Sequence, residues 1–445
     1  MHSHLLLAQA LRVSTSPCIA FMGAGGKTTA MFQLARELPG PVIVTATSHL
    51  GTWQTKLADK HIVAKTPIAL KGLEQGEKGV ILVTGEIDGD RTKPVDEDSL
   101  NWLRQFCGSH SIPFLIEADG SREKPLKAWA EHEPPIPTFV EVVVHVAGLS
   151  GLGKPLTEEY VHRAEMFSNL SGMEAGQTIT AGSLMRMLTH PEGGVKNIPH
   201  QARRVMLLNQ ADSPKLQSLA QELSRSLLAS YDAVIIASLK LERIFAVQEP
   251  IAGIVLAAGE SSRYGQPKQL LDWKGEPFVR VVAKTALQGG LSPVVIVLGA
   301  NGEQVESSVK DLAVSTIYNE QWKTGQASSI QTGVEVLAIP HKAGGAVFLL
   351  ADQPQLTTSV LRALVEKHAE GLYPVVAPMV IDRRANPVLF DQTTFPDLLA
   401  LEGDVGGRAI FHKHRVEYLP WHDDRLLLDV DTPEMYQRLI ADDTL

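Results

Sequence analysis

The 445-residue sequence contains two cysteines, Cys18 and Cys107, with no CxxC or Cys/His spacing. That scarcity excludes a disulfide-stapled fold and a cysteine zinc site, and it fits a compartment where thiols stay reduced. Positive charge is also short: 41 Lys and Arg stand against 50 Asp and Glu, a net charge of −9. The chain as a whole therefore has no electrostatic reason to bind nucleic acid or an anionic membrane, and any phosphate must be held locally. No apolar run approaches the roughly 20 residues that cross a bilayer. The apolar stretch at residues 5–7 lacks the basic leader of a secretory signal. The expectation is a soluble, cytoplasmic chain with no membrane and no nucleic-acid partner.

What is present is a globular composition, 44% hydrophobic and 20% charged, on a chain long enough for two cores. Short β-branched runs alternate with amphipathic stretches, the pattern of βαβ units feeding parallel sheets. Strands are expected over residues 18–22, 41–46, 80–84, 114–117, 141–146, 205–209 and 233–237. A second series is expected over 251–257, 293–299, 346–351, 374–378 and 426–430. The segment Val247-Gln-Glu-Pro-Ile251 separates the two, giving α/β domains at 1–247 and 250–445. Pro277 is expected in the first turn of a helix over 278–287, stopped by Gly289-Gly290.

The strongest motif follows the strand at 251–257. In Leu256-Ala-Ala-Gly-Glu-Ser-Ser-Arg-Tyr-Gly-Gln-Pro-Lys268, Gly259 and Gly265 let backbone approach a ligand and turn N–H groups toward phosphate oxygens. Arg263 and Lys268 add two cations, suited to charge that grows on a leaving pyrophosphate. Leu256, Ala257 and Ala258 complete the nucleotide-binding turn. Asp352 and Asp431 are each placed just beyond an expected strand, where carboxylates at a sheet's carboxyl edge can hold Mg²⁺ with phosphate oxygens. Helix capping is the competing role for both, and Asp429 is the alternative ligand.

This segment resembles the nucleotidyltransferases that build molybdenum-cofactor dinucleotides, especially the cytidylyltransferase branch. The resemblance runs in order through 319–330, with Ser328 and Ser329 near the nucleotide, and through 351–354, 383–390, 403–408 and 429–433. It departs at Ala385, where the family has glycine or a similar small residue. A double alanine after the first leucine goes with cytidine in this family and a double glycine with guanosine, so Ala257-Ala258 implies CTP. The resemblance implies a Rossmann-like fold, Mg²⁺, and transfer from CTP to the molybdenum cofactor with release of pyrophosphate. GTP as donor, a sugar or alcohol phosphate as acceptor, and a nucleotide-sensing cofactor chaperone remain open.

A second glycine turn lies near the start of the sequence. Cys18-Ile-Ala-Phe-Met22 leads into Gly23-Ala-Gly-Gly-Lys-Thr-Thr29, and residues 30–38 have helical spacing. Gly23, Gly25, Gly26, Lys27, Thr28 and Thr29 supply backbone donors, a cation and hydroxyls, the parts of a P-loop-like phosphate cradle for ATP or GTP. The turn is shorter than the Walker pattern, because Phe21 stands where that pattern has its first glycine. With Thr45–Leu50, Glu117–Arg122, Pro125–Lys127, His132–Pro134 and His162-Arg163, residues 15–240 resemble the accessory proteins of selenium-dependent molybdenum hydroxylases. An apo-hydroxylase is the partner this resemblance implies. Glu117 and Asp119 are read as ligands to a metal or water at the phosphate site, or as caps. Asn209-Gln-Ala-Asp212 is read either as a guanine-reading NKxD sequence without its lysine or as a strand end with Asp212 as a cap. His132, His162, His412 and His414 are read as ordinary polar groups rather than metal ligands.

Overall fold

The computed structural model describes residues 5–73, 78–260, 264–337, 343–430 and 432–442. It divides into two compact units, Met1–Gln248 and Glu249–Leu445.

The first unit is built on nine strands: β1 (Cys18–Gly23), β2 (Val42–Ala46), β3 (Lys60–Val63), β4 (Val80–Thr84), β5 (Phe114–Glu117), β6 (Val142–Gly148), β7 (Arg203–Asn209), β8 (Ala233–Ser238) and β9 (Arg243–Gln248). They lie in the order β9-β8-β7-β6-β1-β5-β2-β4-β3, parallel except for β9, which runs antiparallel to β8. β2, β4, β5, β6 and β8 are buried at every position, as continuous apolar strands in a parallel sheet covered on both faces should be. The edge strands β3 and β9 are more exposed and less uniformly apolar, and the apolar-run criterion passed over both. Helix α1 (Lys27–Glu37) starts three residues before its apolar spacing does, with Gly26 as N-cap at φ 121°. Helix α2 (Glu97–His110) is capped by Asp96, whose side chain accepts from Ser99 N–H. Before α3 (Pro214–Leu227) the cap is Ser213 with Pro214 next, the favoured order at a helix start. Asp212 instead accepts from the Ser238 hydroxyl at 2.5 Å, so the capping role expected for it passes to its neighbour.

The second unit contains β10 (Ile251–Ala257), α4 (Phe278–Gln288), β11 (Val294–Leu298), α5 (Gly302–Val309), β12 (Ser315–Tyr318), α6 (Gln326–Glu335), β13 (Gly345–Leu350), α7 (Thr358–Ala369), β14 (Val375–Val380), β15 (Arg383–Arg384), β16 (Val388–Asp391), β17 (Val416–Pro420) and α8 (Pro433–Asp442). Strand order is β12-β11-β10-β13-β16-β14-β15, with β17 paired to β14. The half around β10 is parallel, and β16 runs antiparallel to both β13 and β14. Alternate residues of β10 feed opposite cores. Val255 packs with Val282, Leu349 and Leu361 on one face, and Ile254 with Ile330, Val334 and Phe348 on the other. A Cβ at Gly333 would stand 2.6 Å from the Ile254 side chain; its absence lets α6 lie close on β10.

Two expectations are corrected here. Residues 426–430 form no strand: a 3-10 turn covers Asp424–Leu427. Asp423 caps that turn through Arg425 N–H, and the Arg425 and Leu428 carbonyls take their hydrogen bonds from the Gln355 side chain at 3.2 and 2.8 Å. A segment whose backbone is satisfied this way has no ladder to join. Pro277 is the N-cap residue of α4, in extended conformation, rather than part of its first turn. Among the described residues no helix is long and apolar enough to cross a membrane.

Candidate active sites at two glycine turns

In the second unit, the carboxyl ends of β10 and β13 and the start of α6 enclose a cleft of about 730 Å³. Leu256, Ala257, Ala258, Gly259, Lys268, Ser329 and Asp352 all line it, which is where a doubly wound sheet binds ligands, outside its strand ends where the order reverses. Gly265, at φ 81°, shapes the turn without lining the cleft. Ser328 lies behind it: its hydroxyl accepts from Asn319 Nδ2 at 2.8 Å and sits 2.9 Å from the Gly325 carbonyl. The double serine thus divides its work, Ser328 bracing the turn and Ser329 facing the cleft. Arg263 and Asp431 lie outside the described residues.

The motifs that follow one another in sequence converge in space. A Cβ at Gly325, φ 119°, would stand 2.5 Å from the Gly403 carbonyl, and Asp404 accepts from Gln326 N–H at 3.2 Å, an acid at the positive end of α6. Lys268 Nζ is 3.3 Å from Asp352 Oδ2. Burial raises the Asp352 carboxyl above its usual range, Lys268 opposes this, and the Asp429 carboxylate adds to it. Asp429 in turn accepts from Gln353 Nε2 at 2.9 Å. Arg408 donates to the Arg384 carbonyl and to Asn386 Oδ1 at 3.3 and 3.2 Å, and Asp429 acts on its charge too. Asp352 precedes no helix, since α7 starts only after its N-cap Thr357, so the capping alternative does not apply to it.

In the first unit the turn after β1 opens a cleft of about 820 Å³ lined by Gly25, Gly26, Lys27, Thr28 and Thr29. Gly23 sits at the strand end rather than in the lining. A Cβ at Gly25, φ +82°, would meet the Gly148 backbone at 2.4 Å, so two backbones touch where the turn leaves the sheet. Lys27 Nζ donates to the Gly23 carbonyl at 2.7 Å and lies 3.3 Å from Asp119. Asp119 is wholly committed: it accepts from Gly23 N–H and from Trp129 Nε1 at 2.6 Å, and Lys127 lies 3.0 Å away. Burial pushes its pKa up, but Lys27 and Lys127 together hold it below the ordinary value. Asp119 is therefore an internal counterion and not an open ligand. Glu117 is raised by its burial and accepts from the Thr28 hydroxyl at 2.7 Å. Asn209 ties the turn down, donating to the Gly25 carbonyl at 2.7 Å. Among the described residues no three His, Cys, Asp or Glu side chains group closely enough to hold a metal.

Residues 19–165 match the model of the YqeC protein family, and residues 253–418 match that of the MobA-like NTP transferase domain. The chain is 31% identical to an uncharacterised YqeC protein of Escherichia coli, over 46% of this chain and 82% of that one. It is 32% identical to the nicotine blue oxidoreductase of Paenarthrobacter nicotinovorans, over 43% of this chain and 96% of that one. A probable molybdenum cofactor guanylyltransferase of Bacillus cereus is 30% identical over 31% of this chain and 66% of its own length. The chain belongs to the YqeC and MobA-like families. The MobA-like unit is a nucleotidyltransferase related to molybdenum cofactor guanylyltransferases.

Of the further cleft residues, Trp322, Asp404, Arg122, His162 and Arg163 belong to motif segments already named, whereas nothing in the sequence pattern singles out Gln269 or Lys124. Gln269, Trp322 and Asp404 line the MobA-like cleft; Gln269, next to Lys268, binds the Ala257 and Gly259 carbonyls at 3.4 and 3.1 Å. The YqeC cleft also takes in His162, Arg163, Arg122, Lys124 and Gln210. Four of its lining residues, Arg122, Glu123, Arg163 and Gln210, are non-glycine residues at positive φ. Such conformations concentrate at functional sites, and no sequence pattern announces them. His414, read as solvated, pairs with Asp397 at 2.8 Å. His132 is exposed.

Proposed function

We propose that the MobA-like unit transfers a cytidylyl group from CTP to the phosphate of the molybdenum cofactor, giving the cytosine dinucleotide and pyrophosphate, and that the YqeC unit binds ATP or GTP. The observation that carries the first part is the convergence on one cleft of the glycine turn, the 319–330 segment, Asp352 and residue 404. In that cleft the turn's backbone N–H groups and Lys268 would hold the triphosphate. An acceptor phosphate oxygen attacks the α-phosphorus, the bond to the β-phosphate breaks, and Lys268 stabilises the charge on the departing pyrophosphate. Asp352 and Asp429 are oxygen donors of the kind Mg²⁺ takes. Burial is the main cause of the raised Asp352 carboxyl, with Asp429 adding to it and Lys268 opposing, and a divalent cation beside the two carboxylates would oppose the shift as Lys268 does. When bound, such an ion supplies neutralisation of the α-phosphate and leaving-group charge. Asp431 and Arg263 are proposed as further ligand and cation from sequence alone.

Ala257-Ala258 supports CTP, while the guanylyltransferase relative makes GTP the rival donor. For the YqeC unit, Gly25, Gly26, Lys27, Thr28 and Thr29 would form a P-loop-like cradle, with Glu117 beside Thr28 on the metal side. Its partner would be an apo-molybdenum hydroxylase in the cytoplasm. The test is pyrophosphate release by the full chain with each nucleoside triphosphate, with and without purified molybdenum cofactor. Release that depends on the cofactor and is greatest with CTP is expected. Equal release with GTP would overturn the nucleotide assignment, and release with sugar phosphates alone would overturn the acceptor.

A further inference from the structure

The YqeC cleft has two walls of different chemistry. One is the glycine turn and Lys27. The other comes from the loop after β5 and from the segment at 162–163, and it is basic. Arg122 and Glu123 both stand in the left-handed region, φ 51° and 61°, so the loop doubles back. Lys124 then accepts through its carbonyl from Gly25 N–H at 3.0 Å. This hydrogen bond fixes the second wall directly to the glycine turn. Arg122 is exposed and lines the cleft; among the described residues it forms no ion pair or hydrogen bond. Lys124 lies 3.7 Å from Glu158, a loose pair. Arg163, by contrast, is engaged by Glu133 through both of its terminal nitrogens, and Lys127 stands behind Glu133 at 3.4 Å. His162 completes the wall, held neutral with its pKa pushed down to about 4 by burial and by the Lys127, Arg163 and Arg122 charges. The Lys127, Arg163 and Arg122 charges disfavour a proton on that ring and the Glu133 carboxylate opposes them only in part, while Glu123 and Glu133 are the carboxylates of the wall.

We propose that the YqeC cleft is a two-ligand site, in which Arg122 and Lys124 bind a phosphate-type oxyanion of a second small molecule, opposite the ligand of the glycine turn. The inference rests on the nucleotide reading of that turn only for what occupies the first wall. A guanidinium without a partner at a cleft mouth matches the planar, forked recognition of phosphate. The cleft is also larger than the one in the MobA-like unit, about 820 against 730 Å³, and both lie in the range of ordinary small-ligand pockets. A site that only sensed nucleotide would need the first wall and not the second.

The test is calorimetric titration of inorganic phosphate, and separately glycerol phosphate, into the full chain with saturating Mg²⁺, ADP and CTP. Arg122→Asn removes the charge while keeping a residue that tolerates positive φ, and Lys124→Gln removes the second cation. Both phosphate probes are expected to bind the unaltered chain, and Arg122→Asn is expected to weaken them about tenfold or more, the loss of one charge-assisted hydrogen bond. ADP affinity should change by less than about twofold, since charge-assisted bonds at the other wall are kept. The tighter of the two probes tells a free ion from an ester. Absence of phosphate binding, or binding unchanged in both variants, overturns the proposal. If ADP does not bind but Arg122→Asn still weakens phosphate, the nucleotide reading fails and the oxyanion subsite stands.

Discussion

The two glycine turns occupy the same place in their sheets, at the carboxyl end of a central parallel strand, yet they keep their lysines differently. Lys27 is 2% exposed and sits against the fully buried Asp119; Lys268 and Asp352 are 14% and 30% exposed. In the YqeC unit the cation is built into the fold, and Asp119 answers to four donors. In the MobA-like unit the cation faces the cleft beside a carboxylate whose charge burial disfavours. A lysine after a glycine turn therefore does not declare from sequence whether it is structural, functional or both. Its counterion does.

The contrast can be broken by substitution. The largest effect is expected from Asp352→Asn, which should lower CTP-dependent pyrophosphate release by about 10²-fold or more, on the scale of losing one electrostatic contributor to a transition state, while the melting temperature stays near that of the unaltered chain. Near-normal turnover by a folded variant would remove Asp352 from the site. Next, Lys27→Met should destabilise its unit by about 3–5 kcal/mol, the usual consequence of stripping one partner from a buried pair. Lys268→Met should cost under about 1 kcal/mol, as expected of a more exposed pair, and weaken CTP use instead. Urea unfolding followed separately for each unit would decide, and equal losses would erase the distinction. A folded Lys27→Ala protein should lose nucleotide binding at its own turn and keep cytidylyl transfer; loss of both activities together would make the two turns one composite site.

Glycine substitution sharpens the same difference. Gly25→Ala meets the Gly148 backbone, whereas Gly265→Ala, at the nearly identical φ of +81°, meets nothing within 4 Å. The second should cost only the left-handed penalty of about 1–2 kcal/mol, and the first clearly more, read as the gap between two melting temperatures. A graded effect is expected from pH. His145, buried against Trp129 and 2.8 Å from the Tyr231 hydroxyl, has its pKa pushed from 6.5 to about 3, chiefly by burial, with Lys27 and Lys127 adding to the shift and Asp119 opposing it. The folded state then binds fewer protons than the unfolded one. This contribution is complete above pH 6.5 and is lost as pH falls toward 3, by about 1.4 kcal/mol per pH unit for one proton. Stability of the YqeC unit between pH 7 and pH 5 should fall with that sign, and less steeply in His145→Gln.

Much of this fold was legible because parallel strands buried on both faces write themselves as unbroken runs such as Val80-Ile-Leu-Val-Thr84. The same rule failed at Arg243–Gln248, whose partly exposed antiparallel edge needs no such run, and it misfired at 426–430, where a glutamine side chain supplies the bonds a strand would. At the sites, the spacing of glycine, lysine and hydroxyl was readable because it is local. The commitment of Asp119 and the basic wall at Arg122 depend on contacts across tens of residues, and the separate duties of Ser328 and Ser329 depend on which way each side chain faces, neither of which spacing carries.

Asp119 also bears on how the YqeC unit comes to be folded. It draws on Gly23, Lys27, Lys127 and Trp129, and its bond to Gly23 spans 96 residues. Closing so long a loop must be offset by contacts made elsewhere first. The glycine turn is thus not a nucleus that forms early from its own sequence. It needs β1 and β5 side by side, so a nascent chain that ends before β5 carries all the letters of the motif and lacks the Asp119 carboxylate that holds its geometry.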